Sequence, residues 1–267
     1  MLSVFILSAI GLAVLLLLLS SELSAAFHNN AHARRRPTLI RAEPAQLTAS
    51  DEVSLTVRAA ELDKSLGLTA HERDVVNVHR LCSPSEAYVT SIAGASESSD
   101  ERRRNSRFPR GRSLGSGSGF IVDSSGYLVT NYHVVQRAYE MNDIRERLGV
   151  FAALSGSISG QVFVRFGSDE ASARYLSCDI VGVAKELDIA VLKIKDTPES
   201  PLKALSFGSS SALLVGQTTV ACGNPFGLDK TLTSGIVSAL GRSVTGVAGN
   251  TLKNCVQTDA AINPGNR

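Results

Sequence analysis

The sequence predicts an all-β fold carrying a short N-terminal helix, and three observations lead there. Apolar runs of strand length recur at residues 87–92, 120–122, 127–129, 176–183, 189–194 and 231–240. Turn-forming clusters bound them, among them Asp123-Ser124-Ser125-Gly126 and Gly223-Asn224-Pro225-Phe226-Gly227. The chain also carries one complete helix-start signal, Thr69-Ala70-His71-Glu72, in which a hydroxyl accepts an N-terminal amide and a carboxylate three residues on reaches back.

In chain order, residues 4–19 are an almost unbroken apolar run followed by the small residues Ser24-Ala25-Ala26. This reads as a signal peptide over 1–26, with an uncleaved membrane anchor as the alternative; the run falls a little short of the ~20 residues of a spanning helix. From Phe27 to Arg41 the sequence contains Arg34, Arg35, Arg36 and Arg41 and neither Asp nor Glu, the character of an organelle transit peptide, so 27–68 is assigned to transit peptide and linker. A secretory signal followed by small residues, a phenylalanine and a basic stretch resembles the bipartite plastid leaders of algae. That resemblance implies a plastid location reached through the secretory pathway, with thylakoid association as the finer expectation and a secreted or membrane-anchored protein as the alternative. The membrane enters only through the N-terminal segment.

The helix started by Thr69 presents Val75, Val76, Val78 and Leu81 and is ended by Pro84. His71 and His79 sit on it among charged neighbours, with no Cys or carboxylate cluster to complete a metal site, so neither a metal nor a cofactor is expected. The strand-like 87–92 follows, and then a polar stretch to Arg112 containing Arg102, Arg103, Arg104, Arg107 and Arg110, which reads as a solvated loop. Gly115-Ser116-Gly117-Ser118-Gly119 resembles a phosphate cradle only superficially, because no helix N-terminus follows; the glycines are expected where backbone passes close to backbone. Residues 120–122 and 127–129 around their turn make a hairpin. Thr130-Asn131-Tyr132-His133-Val134-Val135 then puts a histidine where strand gives way to a helical turn, and residues 139–148 form a further helical stretch. Two β-rich runs, 176–183 and 189–194, are separated by Ala184-Lys185-Glu186-Leu187-Asp188, leaving Asp188 at the mouth of the second.

The net charge of +2 gives no electrostatic case for nucleic acid, and none is expected as a partner. Cys82, Cys178, Cys222 and Cys255 have no C-x-x-C spacing and read as small buried apolar residues; their number permits two disulfides, and no spacing selects a pairing.

Four strings in order, Thr130-Asn131-Tyr132-His133-Val134-Val135, Asp188-Ile189-Ala190-Val191-Leu192, Gly223-Asn224-Pro225-Phe226-Gly227 and Gln257-Thr258-Asp259-Ala260-Ala261-Ile262-Asn263-Pro264-Gly265-Asn266, resemble the Deg/HtrA family of trypsin-like serine proteases, in its plastid branch. The resemblance runs from about Thr69 to Asn266. It implies a trypsin-like double β-barrel with the site between the barrels, trimer-based homo-oligomers, ATP-independent endoproteolysis of damaged or unfolded proteins, and often a following PDZ domain, which is not found in residues 69–267. It also implies that His133 is the general base, that Asp188 orients it, and that the Gly265 amide helps bind the oxyanion. The family's nucleophilic serine follows Asn266, where this sequence has Arg267. The expectations are therefore a protease domain over 69–267 that is C-terminally truncated, with an incomplete second barrel and no activity of its own. The alternative is a noncatalytic protein that binds subunits or substrates. The stretch 136–160 is longer than the family's usual connection there.

Overall fold

In a computed structural model of the chain, the residues described are 66–94, 111–148, 159–167, 174–198, 200–224, 230–246 and 251–262. Residues 1–65, where the signal peptide and transit segment are expected, and residues 95–110, which carry most of the arginine run, lie outside them. Helix α1 (Ala70–Cys82) begins as its sequence dictates. The Glu72 N–H donates to Thr69 Oγ1 at 3.2 Å and the Thr69 N–H donates to Glu72 Oε2 at 2.8 Å, closing the capping box. A short 3-10 turn, Ser83–Ser85, carries Pro84 and ends the helix.

Six antiparallel strands then close a barrel: β1 (Glu86–Ala93), β2 (Arg112–Asp123), β3 (Tyr127–Asn131), β4 (Gly160–Phe166), β5 (Tyr175–Ala184) and β6 (Ile189–Ile194), in the order β1-β2-β3-β6-β5-β4. The hairpin pairs Phe120 with Val129, and β4 returns to pair Val164 with Val89, so no edge is left open. Alternate inward residues, Val89, Ile121, Leu128, Val164, Ala190 and Leu192, are fully buried in one core. The glycine run belongs to β2. A Cβ on Gly115 would stand 2.6 Å from the Val134 carbonyl oxygen and one on Gly119 2.9 Å from that of Val129, so the close backbone approach expected from the sequence is what the glycines permit. Helix α2 (Tyr132–Leu148) continues unbroken from the helical turn at His133 into the helical stretch farther on, burying Tyr132, Val134, Val135 and Ala138.

A second region follows: a three-stranded sheet in the order β7-β8-β9, with β7 (Thr218–Gly223), β8 (Thr231–Thr245) and β9 (Thr251–Thr258). Its core is Leu213, Ala221, Val237, Val256 and Ala260. Strand β8 runs past the expected end at residue 240 because Gly241, at φ +67°, lets the chain continue through a left-handed residue. The strands β4, β7 and β9 were not singled out by sequence.

Helix α1 joins the two regions, packing Val78 and Cys82 onto Val220 and Cys222 of β7. Beside this seam Glu86 is 1% exposed, and burial pushes its carboxyl up to about 7, against the opposing pull of Lys230. The Lys230 ammonium donates to the Ser83 carbonyl, and burial holds its pKa below the usual lysine range. All four cysteines are buried free thiols. Among the described residues no helix is long and apolar enough to cross a membrane, and no three His, Cys, Asp or Glu side chains cluster to hold a metal.

Candidate active site

Three local features bring His133 and Asp188 together. Strand β3 ends at Asn131 and helix α2 starts at the next residue, so His133 sits on the first turn of a helix anchored at its base. That base is held by the Thr130 hydroxyl, which donates to the Ser118 carbonyl at 2.8 Å, and by the Ser91 hydroxyl, which donates to the Val134 carbonyl at 2.8 Å. From the other side, β5 and β6 are joined by a 3-10 turn, Lys185–Leu187, capped by Asp188 in the left-handed conformation at φ 55°. A non-glycine residue there is uncommon and needs surroundings that hold it.

Those surroundings are explicit. The Tyr132 N–H donates to the Asp188 carbonyl at 2.9 Å, and the Asp188 N–H donates to the Lys185 carbonyl at 3.2 Å. The buried carboxylate receives the His133 backbone N–H on Oδ1 at 2.8 Å and the Asn131 side-chain N–H on Oδ2 at 3.3 Å, while His133 Nδ1 lies 2.7 Å from Oδ2. Its charge, taken out of water, is thus met by converging N–H groups. Lys185 stacks its ammonium over the rings of Tyr132 and Tyr139, 5.7 and 5.3 Å from their centroids, tying the aspartate-bearing turn to helix α2. Tyr132 is buried, and desolvation, followed by the charge of Glu140, pushes its phenol up to about 12.

An ionised carboxylate only accepts hydrogen bonds, so the imidazole facing it carries its proton on Nδ1 and keeps the lone pair on Nε2. The Asp188 side chain is 0% exposed and that of His133 is 21% exposed, which leaves an oriented base with access to a reactant.

The approach to the expected nucleophile position is anchored to the second sheet. Asp259 Oδ1 accepts the Ile236 N–H at 2.7 Å, the Thr219 and Thr258 hydroxyls lie 2.8 Å apart, and the Thr233 hydroxyl donates to the Ala261 carbonyl at 2.8 Å. Gly265 and Arg267 lie outside the described residues, as do Pro225, Phe226 and Gly227. The Asn224 N–H donates to the Ser118 hydroxyl at 2.9 Å, bridging the second region to the barrel. The roles of Asn131 and Lys185 were missed by sequence. An asparagine two residues before the histidine was visible only as a letter of a motif, and a lysine in a turn carries no signal of the rings it will meet.

A closed antiparallel barrel, a second antiparallel sheet and a buried Asp–His couple at the end of a barrel strand define the trypsin-like class of peptidase folds. Residues 117–267 match the trypsin-like peptidase domain. Protease Do-like 8, chloroplastic, of Arabidopsis thaliana is 42% identical over 152 residues, covering 57% of this chain and 31% of that protein. Protease Do-like 1, chloroplastic, of the same plant is 35% identical over 230 residues, covering 86% of this chain and 43% of that protein. The crystal structure of Deg5 superposes with a TM-score of 0.54 at 32% identity, over 74% of this chain and 78% of that one. The chain belongs to the trypsin-like peptidase family, in its Deg/HtrA branch. It spans less than half the length of the two curated relatives.

Proposed function

We propose that this protein is a serine endopeptidase of Deg/HtrA type that degrades damaged or unfolded proteins without ATP. The observation that carries the reading is the 2.7 Å contact between His133 Nδ1 and the buried Asp188 carboxylate, which leaves Nε2 as the working base. In the reaction His133 takes the proton of a serine hydroxyl as it attacks the scissile carbonyl, then returns it to the leaving amine, while Asp188 holds the tautomer and stabilises the imidazolium. The amides of the loop through Gly265 and of the serine bind the oxyanion. Position 267, where the family resemblance expects that serine, is arginine, and no turnover is expected without a serine after Asn266.

Residues 69–267 constitute the protease domain in this reading, preceded by a signal peptide over 1–26 and a transit and linker segment over 27–68. The leader composition and the two chloroplastic relatives favour a plastid location; the secretory route rests on the leader composition alone, and thylakoid association is the finer expectation that goes with it. The family resemblance favours a trimer-based assembly and protein substrates, with no cofactor.

The test is to sequence transcripts across codon 267 and assay each translated protein on casein without ATP. A product with serine after Asn266 is expected to digest casein, to be blocked by a serine-directed phosphonate and to lose activity in His133→Ala. A serine-bearing product that leaves casein intact overturns the endopeptidase reading. Digestion by the Arg267 form contradicts its expected inactivity.

A further inference from the structure

We infer that Asn131 is a positioning residue for the acid–base couple: its side-chain amide clamps Asp188 in the one conformation that faces His133. This rests on the catalytic reading of His133 and Asp188 proposed above. Asn131 is 4% exposed and is the last residue of β3, paired in register with Ile189 of the neighbouring strand β6, the residue after Asp188. From there its Nδ2 donates twice to the same residue, to the Asp188 carbonyl at 3.1 Å and to Asp188 Oδ2 at 3.3 Å.

The two acceptors explain why a primary amide serves here. One bond holds the main chain of a residue at φ 55°, a conformation that a β-carbon disfavours. The other holds the side-chain rotamer. Together they fix both ends of the short lever that carries the carboxylate. Asp188 Oδ2 is also the atom that faces His133 Nδ1, so the amide and the imidazole approach one oxygen and leave Oδ1 to the His133 backbone N–H. Removing the amide leaves the carboxylate held by the His133 backbone N–H on Oδ1 alone, so Oδ2 is less firmly presented to the imidazole and selects its Nδ1–H tautomer less strongly. An isosteric apolar side chain preserves the packing of the site and removes only the donor. Asn131 does not touch a substrate in this scheme; it acts through Asp188.

The tautomer of His133 reads this role directly and needs no serine. Nitrogen-15 NMR of the uniformly labelled chain above the imidazole titration reports the ratio of Nδ1–H to Nε2–H forms. Wild type is expected to show the Nδ1–H form, and Asn131→Ala is expected to raise the Nε2–H fraction on the order of tenfold, the effect of losing one hydrogen bond to a charged acceptor. Asn131→Leu, which keeps the side-chain shape, is expected to do the same and carries the test if the alanine variant does not fold. A folded variant with the wild-type tautomer ratio overturns the positioning role and leaves the catalytic reading intact. A wild-type chain whose His133 shows no preference for Nδ1–H, with Asp188→Ala unchanged from it, overturns the catalytic reading itself.

Discussion

The two sheet regions of this molecule are built to different degrees of closure. Strand β1 of the barrel buries every residue except Tyr88, whereas β8 of the second sheet buries Val237 alone in fifteen residues. The barrel's hydrogen bonds return to their start through β4 and β1, and helix α2 packs against β1, β2 and β4, while the outward side of β5 leaves Val181 53% exposed. Among the described residues the second sheet has two edges, β7 and β9, and leaves Ile236, Leu240 and Val244 at 40% exposure or slightly more. The difference teaches where precision resides. His133, Asp188, Asn131 and Lys185 all belong to the closed barrel and its connections, so the acid–base couple is set by the region whose strands constrain one another. The second sheet holds the segment after β9, through Asp259 to the Ile236 N–H and through the Thr233 hydroxyl to the Ala261 carbonyl.

Core truncation should separate the two regions most widely. Ile121, fully buried in the barrel, is expected to cost about 2–5 kcal/mol on replacement by alanine. Leu240→Ala in β8 is expected to cost less, about 1 kcal/mol, because the residue is already 40% exposed. Urea unfolding of both variants checks this, and equal losses would mean that the second sheet is as well packed as the barrel.

The seam between the regions gives a smaller effect with a definite sign. Folding raises the Glu86 pKa from 4.5 to about 7. Over that interval the folded protein holds a proton that the unfolded chain has released, so Glu86 makes stability fall as pH rises through it. Glu86→Gln removes this titration. It is expected to leave stability near pH 5 close to wild type and to raise it by on the order of 2 kcal/mol at pH 8. Thermal or urea unfolding at the two pH values decides, and an equal effect at both would place Glu86 in a less buried setting.

Gly241 gives the smallest effect. A β-carbon there meets nothing within 4 Å, and the residue lies at φ +67°, so Gly241→Ala carries backbone strain without a clash, about 1 kcal/mol. Gly241→Asn should recover part of it, since asparagine tolerates the left-handed region. A much larger loss in either variant would show the turn to be packed against something.

The same contrast governs what could be read from sequence. Strands β1, β5 and β6 and the β2–β3 hairpin announce themselves by apolar runs between turn residues, because a barrel strand either is buried on both faces, as β1 is, or alternates, as the start of β5 does. Strand β4, Gly-Gln-Val-Phe-Val-Arg-Phe, carries the buried Arg165 between the rings of Tyr88 and Tyr175, and a charge in the pattern conceals a strand. Strand β9 includes Lys253 and Asn254, the latter at φ 57°, so it neither alternates nor reads as β. The left-handed Asp188 had no local signature, since an acid before a strand is ordinarily a turn residue. Its tie to His133, fifty-five residues away, was suggested by a family motif, and the Asn131 amide that holds Asp188 was hidden within that motif.

The central claim, that the closed barrel fixes His133 against Asp188 by itself, is tested most directly by proton NMR of the chain as it stands. An imidazolium N–H held by a buried carboxylate resonates far downfield of the backbone amide protons. At a pH where His133 is protonated, the account predicts one such resonance, assigned to His133 Nδ1–H by nitrogen-15 labelling and abolished in Asp188→Ala. Its absence from a folded wild-type chain, or its survival in the folded Asp188→Ala variant, would contradict the claim.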